Sequence, residues 1–188
     1  MLVIKEHLQK LSLLSEEDWN HYASKFEKHT FKKNSLIIQT GEVENYLSFI
    51  ETGIVRFWID IKDNEVTFDF AFEKQFFSAY PSFLTRESTN WNIQALTPIV
   101  LWRISHADLQ LIYQQTQSGD KLGRLATESL FITAAKRKTD LLTQTAEELY
   151  LRLLQEHKQL IQYIPLKYLA SYIGITPQAL SRIRKRIC

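Results

Sequence analysis

Leu166-Lys-Tyr-Leu-Ala-Ser-Tyr-Ile-Gly-Ile-Thr-Pro-Gln-Ala-Leu-Ser-Arg-Ile-Arg-Lys-Arg186 is the stretch whose reading decides the fold. Leu166, Leu169, Ala170 and Ile173 recur at helical spacing and make one apolar face of a short helix. Gly174 follows where the chain must turn, since a residue without Cβ enters φ > 0 at little cost. Thr176 is an N-cap, and Pro177 is a first helical residue whose missing N–H is no loss. In the second helix Leu180 and Ile183 face inward, while Gln178, Ser181, Arg182, Lys185 and Arg186 face outward. Ala170, Gly174 and Leu180 fit the small, glycine and aliphatic positions of a helix-turn-helix, where a small residue lets two helices cross closely. The plainer reading is a helical hairpin with a solvated basic end.

Charge separates the two readings. Residues 1–150 hold 16 Lys/Arg against 20 Asp/Glu, whereas residues 151–188 hold 7 against Glu156 alone. The overall net charge of +2 hides this asymmetry, which points the C-terminal segment at a polyanion.

Working back from that segment, Thr145 to Leu154 reads as a helix, and Gly119-Asp120 opens a longer one. Leu122, Leu125, Ser129, Ile132, Lys136 and Thr139 follow a three-four spacing, with Leu130, Phe131, Ala134 and Ala135 adding apolar surface elsewhere on the cylinder. About 22 helical residues reach roughly 33 Å. Apolar surface on more than one side suits a helix that packs on its own domain and on a second chain. Ser105-His-Ala-Asp caps a further helix running to about Gln115.

Between Thr30 and Ile104 the period is two. Phe31–Thr40 is a candidate strand pair closed by Gly41-Glu42, and Tyr46–Ile50 is a short strand ending at Thr52-Gly53. Val55, Phe57, Ile59 and Ile61 alternate with Arg56, Trp58 and Asp60. Asp63-Asn64 is a hairpin signal before Val66, Phe68, Phe70 and Phe72. Tyr80-Pro81 marks a loop, and Trp91–Leu96 and Ile99–Ile104 complete the set. Short strands with turns every 8–12 residues predict a small barrel or roll. Residues 2–30 read as helical, with Ser15-Glu-Glu-Asp18 as an internal start signal.

This order of helices, β-roll, long helix and helix-turn-helix resembles the cyclic-AMP receptor protein family of bacterial transcription regulators, the Crp/Fnr type. Leu36-Ile-Ile-Gln-Thr-Gly-Glu42, Ile50-Glu-Thr-Gly-Ile-Val55 and the C-terminal motif carry the resemblance, which runs from about Phe31 to Ile187. It implies an α+β fold: N-terminal helices with a cyclic-nucleotide-binding-like β-roll (a double-stranded β-helix) over residues 1–118, a dimerisation helix over 119–142, and a helix-turn-helix over 143–188. It also implies a homodimer on double-stranded DNA with a palindromic operator, the dimer helix pairing through Leu122, Leu125, Ser129 and Ile132. The family adds a β-hairpin wing after the recognition helix, and this sequence, stopping at Cys188, is expected to lack it.

The resemblance also locates a candidate effector pocket. Family members hold cyclic AMP with a glycine-glutamate segment and a later arginine-serine pair. Aligning Phe76–Phe83 onto that segment puts Ser78 at the glycine and Ala79 at the glutamate, with Tyr80 following; without a gap, Thr89 falls at the arginine and Asn90 at the serine. Arg86 lies three residues short of the phosphate position, and the base-contacting pair of the long helix falls on Ala134-Ala135. Each substitution removes a polar group that a nucleotide needs, so cyclic AMP is not the expected ligand. Two outcomes stay open: an unknown small-molecule effector, or a roll packed shut. Phe76, Phe77, Tyr80, Phe83 and Trp91 would make such a pocket aromatic and narrow, or are simply core.

On the recognition helix, the family's base-reading positions fall on Pro177, Gln178 and Arg182. Arginine can take guanine bidentately and glutamine adenine. Lys167, Thr176, Ser181, Arg184, Lys185 and Arg186 fit phosphate contacts, which position without specifying.

Composition narrows the function classes. One cysteine, at the last position, leaves no disulfide framework or iron–sulfur cluster. The histidines, His7, His21, His29, His106 and His157, fall outside the strand region as bounded above, so neither a metal nor another cofactor is expected. No nucleophile elbow, phosphate-binding loop or dinucleotide fingerprint occurs, so an enzyme is not expected. Charge interrupts the N-terminus too early for a signal peptide, and no apolar run spans a membrane, which gives a cytoplasmic expectation. A different class remains open beside the DNA-binding regulator: a small-molecule-binding signalling module whose helical C-terminus contacts protein.

Overall fold

The computed structural model describes residues 1–62 and 64–187; Asp63 of the expected hairpin turn, and Cys188, lie outside the described residues. Two helices open the chain, α1 (Leu2–Leu11) and α2 (Glu16–Lys25). Ser15 caps α2 by accepting the Asp18 N–H at 3.0 Å, with Glu16, Glu17 and Asp18 in the favourable first turn. Asp18 has a second task. Its buried carboxylate accepts the Ser118 N–H at 3.0 Å, so the N-terminal helices satisfy an amide at the head of the long helix.

The helical reading of residues 2–30 is too long by a few residues. Glu27–Phe31 is strand β1, paired antiparallel with β8 (Ile99–Ser105), and its polar Glu27-Lys28-His29-Thr30 sequence lacks the apolar alternation that would mark it. The strand pair expected over 31–40 also divides differently. β1 ends at Phe31, and β2 (Leu36–Ile38) joins the other sheet against β7 (Asn92–Ala95). The remaining strands are β3 (Tyr46–Thr52), β4 (Val55–Ile61), β5 (Asn64–Ala71) and β6 (Phe76–Phe77). Two antiparallel four-stranded sheets result, ordered β1-β8-β3-β6 and β2-β7-β4-β5. Their core is Ile38, Ile50, Val55, Phe57, Phe77, Ile93, Ile99 and Leu101, with Phe68 and Trp91 packed on it.

Tyr80-Pro81 begins a helix rather than a loop, α3 (Tyr80–Thr85), because proline fits a first helical turn; Arg86 closes it in the left-handed region at φ 63°. Ser105 caps α4 (His106–Gln115) by accepting from Asp108 N–H at 3.0 Å. The long helix α5 (Gly119–Thr143) has 25 residues and spans about 38 Å. It packs on its own chain mainly at its ends, and Ala126–Lys136 is exposed. α6 (Ala146–Ile161) starts at a Thr145–Glu148 capping box, kinks at His157 and runs beyond the Leu154 expected as its end. α7 (Leu166–Ile173) and α8 (Pro177–Ile187) finish the chain.

One core joins the roll to the C-terminal helices. Ile54, Phe70, Phe72 and Leu96 of the roll pack with Leu149, Leu153, Ile164, Leu169, Ile173, Leu180 and Ile183. Among the described residues no helix is long and apolar enough to cross a membrane.

Candidate functional site

α7 and α8 form the helix-turn-helix. Gly174 sits at φ 86°, and its N–H and that of Ile175 both donate to Ala170 O at 3.0 Å, ending α7 sharply. Thr176 Oγ1 accepts the Ala179 N–H at 3.2 Å and caps α8. Ala170 and Leu180 are fully buried where the two helices cross, beside Ile173 and Ile183. The other side of α8 is open: Thr176, Pro177, Gln178, Arg182, Arg184, Lys185 and Arg186 are exposed, and Ser181 is half-buried. Gln178, Arg182 and Lys185 stand at i, i+4 and i+7 on one strip. Lys167, at the head of α7, is exposed with Nζ 4.8 Å from the Tyr168 ring. Arg186 is already engaged, ion-paired with Glu147 at the start of α6, so it meets a phosphate only at the expense of that pair. An open groove with Ala146, Ile175 and Ala179 on its floor runs beside α8, rimmed by Arg182, Lys185 and Arg186.

Most of the candidate effector residues are engaged with their own chain. Ser78 Oγ donates to Tyr46 O at 2.9 Å, and Ala79 is fully buried as the N-cap of α3. Tyr80 stacks on Phe83, with its hydroxyl 3.3 Å from Thr127 Oγ1 of α5. The Arg86 guanidinium turns back on the chain, donating to Glu44 O at 2.6 Å, to Phe83 O, and to Asn45 Oδ1. Thr89 is buried and its backbone pairs with Gly41 and Glu42, while Asn90 points to solvent. The expected aromatic lining also divides. Phe77 and Trp91 pack in the roll core, whereas Phe76, Tyr80 and Phe83 pack in the core built by α1 and α2.

What sequence reasoning missed is a buried polar group beside Ala79. The Glu44 carboxylate accepts the Tyr46 N–H at 2.9 Å, approaches the Ala79 N–H at 3.5 Å and lies 3.7 Å from the Arg103 guanidinium. Burial pushes the Glu44 carboxyl above the usual range and Arg103 below its own, outweighing their mutual attraction. Arg103 Nε donates to Ser48 Oγ at 3.3 Å, and its guanidinium stacks 3.9 Å from the Tyr46 ring. Glu44 lay in a segment readable only as a turn, and nothing local marks it as buried.

The long helix shows which apolar residues are free. Phe131 (73%), Ile132 and Leu142 (79%) are among the most exposed large hydrophobics of the described residues. Leu125 is half-buried and Ser129 exposed, but Leu122, at 2% exposure, is covered by the chain's own N-terminal core and cannot reach a second copy. Among the described residues no group of three or more His, Cys, Asp or Glu side chains is placed to hold a metal ion.

Residues 28–116 match the family model of the cyclic nucleotide-binding domain, which covers the roll and α4. No curated protein matches the chain. Solved structures do. FixK2 from Bradyrhizobium japonicum superposes with a TM-score of 0.72 at 18% identity, over 86% of this chain and 84% of that one. The c-di-GMP-responsive global regulator CLP of Xanthomonas campestris gives 0.66 at 15%, over 92% and 91%. A Eubacterium rectale protein described as a transcriptional regulator of the Crp/Fnr family gives 0.69 at 15%, over 93% and 83%. The chain therefore carries a cyclic nucleotide-binding-type roll within the fold of the Crp/Fnr regulators. At these identities the likeness establishes the architecture.

Proposed function

We propose that this protein is a DNA-binding transcription regulator of the Crp/Fnr type, acting in the cytoplasm as a homodimer and not as an enzyme. The observation that carries the reading is the helix-turn-helix itself. Its caps, αL glycine and buried Ala170–Leu180 crossing are formed, and its outward strip is basic and unobstructed. Pro177, Gln178 and Arg182 would meet base edges, while Lys167, Thr176, Ser181, Arg184 and Lys185 would contact phosphates. Arg186 would join them only after leaving Glu147.

The dimer would form along α5, whose Phe131, Ile132 and Leu142 are too large and too exposed to be left to water in a stable monomer. Leu125 and Ser129 extend this seam toward the roll, and the operator would be a palindrome with half-sites about one helical turn apart. The roll would not take cyclic AMP, because Ala79 carries no polar side chain and Ser78, Arg86 and Thr89 bond to their own chain, leaving only the exposed Asn90 among the aligned positions.

The test is fluorescence anisotropy against a duplex pool, with a salt series and Arg182→Ala. Affinity should fall steeply with salt, and the variant should lose about 1–3 kcal/mol per half-site for the selected palindrome. Binding that is indifferent to salt and to Arg182 refutes the reading and favours a helical end that contacts protein.

A further inference from the structure

Arg56 is the largest fully buried side chain among the described residues, at 1% exposure, although strand alternation places it on the solvent side. What covers it is α7. The guanidinium lies 3.6 Å from the Tyr168 ring of α7 and 4.5 Å from the Trp58 ring of β4. Its Nε donates to Thr67 Oγ1 and its Nη1 to Glu65 Oε2, both at 2.8 Å. Thr67, on the edge strand β5, directs its own N–H to Ser171 Oγ of α7 at 2.9 Å. A second arginine holds the same helix from the other side. Arg137 of α5 donates to Tyr172 O and lies 3.7 Å from the Tyr172 ring, which also packs on Phe70 of β5.

The geometry assigns α7 two faces. Tyr168, Ser171 and Tyr172 stand at i, i+3 and i+4 and meet the roll and long helix, while Leu169, Ala170 and Ile173 meet the rest of the helix-turn-helix. Apolar burial alone would hold the two units together but would let one slide on the other. A buried guanidinium is costly, and each arginine here leaves one donor atom, Arg56 Nη2 and Arg137 Nε, without a partner. What planar stacking and directed hydrogen bonds provide in return is a fixed position.

We propose that Arg56 and Arg137 are the pins of a latch by which the roll and the long helix fix the orientation of the helix-turn-helix. The roll thereby sets the spacing of the two recognition helices in the dimer. This rests on the DNA-binding reading for its consequence, but the latch exists without DNA and can be measured without it. Because the pins, on β4 and α5, contact α7 and not the exposed residues of α8, they act on where the reader points and not on what it touches.

The Thr67 amide reports the latch directly. In Arg56→Met, Arg137→Met and the double variant, its hydrogen exchange should accelerate at least about tenfold while β3 and β8 amides stay unchanged. Arg56→Lys keeps the charge but not the planar stack and should behave like Arg56→Met; Tyr168→Leu removes the stack from the surface side should the buried variants fail to fold. With DNA, affinity for a single half-site should stay within about twofold of wild type, while the advantage of the full palindrome over the half-site shrinks about tenfold. Unchanged Thr67 exchange in the double variant overturns the latch. Faster exchange with an unchanged full-to-half-site ratio overturns its role in spacing. A wild-type protein that selects no duplex refutes the regulator reading instead, and the Thr67 exchange then decides the latch on its own.

Discussion

Two of the three glycines at positive φ among the described residues separate backbone strain from steric exclusion, and one of the two lies between α7 and α8. Gly174, at φ 86°, has nothing within 4 Å of where a Cβ would stand. Gly174→Ala therefore pays for the left-handed backbone alone, about 1–2 kcal/mol. For a chain of this size that lowers Tm by about 2–8 °C. Gly53, at φ 108°, ends β3, and a Cβ there would come 2.9 Å from Pro98 O and Thr97 Oγ1 and 3.0 Å from Ile99 Cγ1. A backbone oxygen cannot swing aside, so Gly53→Ala adds an overpacking cost of about 1–3 kcal/mol to the same strain. Urea denaturation of both variants, with Gly174→Asn as a third, gives the comparison. Asparagine tolerates the left-handed region, so Gly174→Asn should be the mildest, Gly174→Ala intermediate and Gly53→Ala the most damaging. Equal losses at positions 53 and 174, or a Gly174→Asn variant worse than Gly174→Ala, would refute the division into strain and clash.

If α5 pairs as proposed, Ile132→Glu should convert the dimer into a monomer by sedimentation. Leu122→Ala should leave the assembly intact and cost about 2–5 kcal/mol of fold stability, since that side chain is buried in its own chain. Dissociation caused by Leu122→Ala alone would move the seam back to the spacing read from sequence. His157 stacks on Phe72 at 3.7 Å, and burial holds its pKa below 6.5 despite the opposing Glu156 charge. Below pH 6.5 the unfolded chain binds more protons than the folded one, so this site's stabilisation falls as pH falls toward the depressed folded value. His157→Phe should therefore gain on wild type between about pH 7.5 and about pH 5.5, and a pH-independent difference in urea midpoints would contradict it. Cyclic AMP at a concentration that would saturate an intact site should produce no thermal shift, whereas a shift worth about 2.7 kcal/mol would reinstate the pocket.

The parts legible in the sequence are those whose cause is local. The helix-turn-helix was readable because periodicity, turn glycine, cap and charge fall in one contiguous stretch, and the roll because alternation and turns recur. Tyr80-Pro81 suits a loop and a helix start alike, and a six-residue helix offers no period to tell them apart. β1 was hidden by its polar composition. Arg56 is buried for a non-local reason. Its face of the sheet is covered by a helix more than a hundred residues away in sequence, and a bulge at Phe68 breaks the alternation of the β4–β5 pair.

The proposal that the roll does not take cyclic AMP rests on more than the alignment. Missing contacts would leave a weak site, but here Ser78, Arg86 and Thr89 are also engaged. Glu44 brings a carboxylate to the amide of Ala79, the position aligned with the nucleotide-binding glutamate. Arg103, a buried cation beside it, already faces Glu44 and Ser48. Arg86 is spent on Glu44 O and Asn45, where it ties α3 to the approach to β3. An anionic ligand would have to displace that carboxylate and break Arg86 from the chain before gaining a contact, a loss of several buried hydrogen bonds at once. Phe68 and Trp91, 4.9 Å apart, meanwhile pack on the roll core. The β4–β5 pair of the roll, through Arg56 and Thr67, is where the roll meets α7.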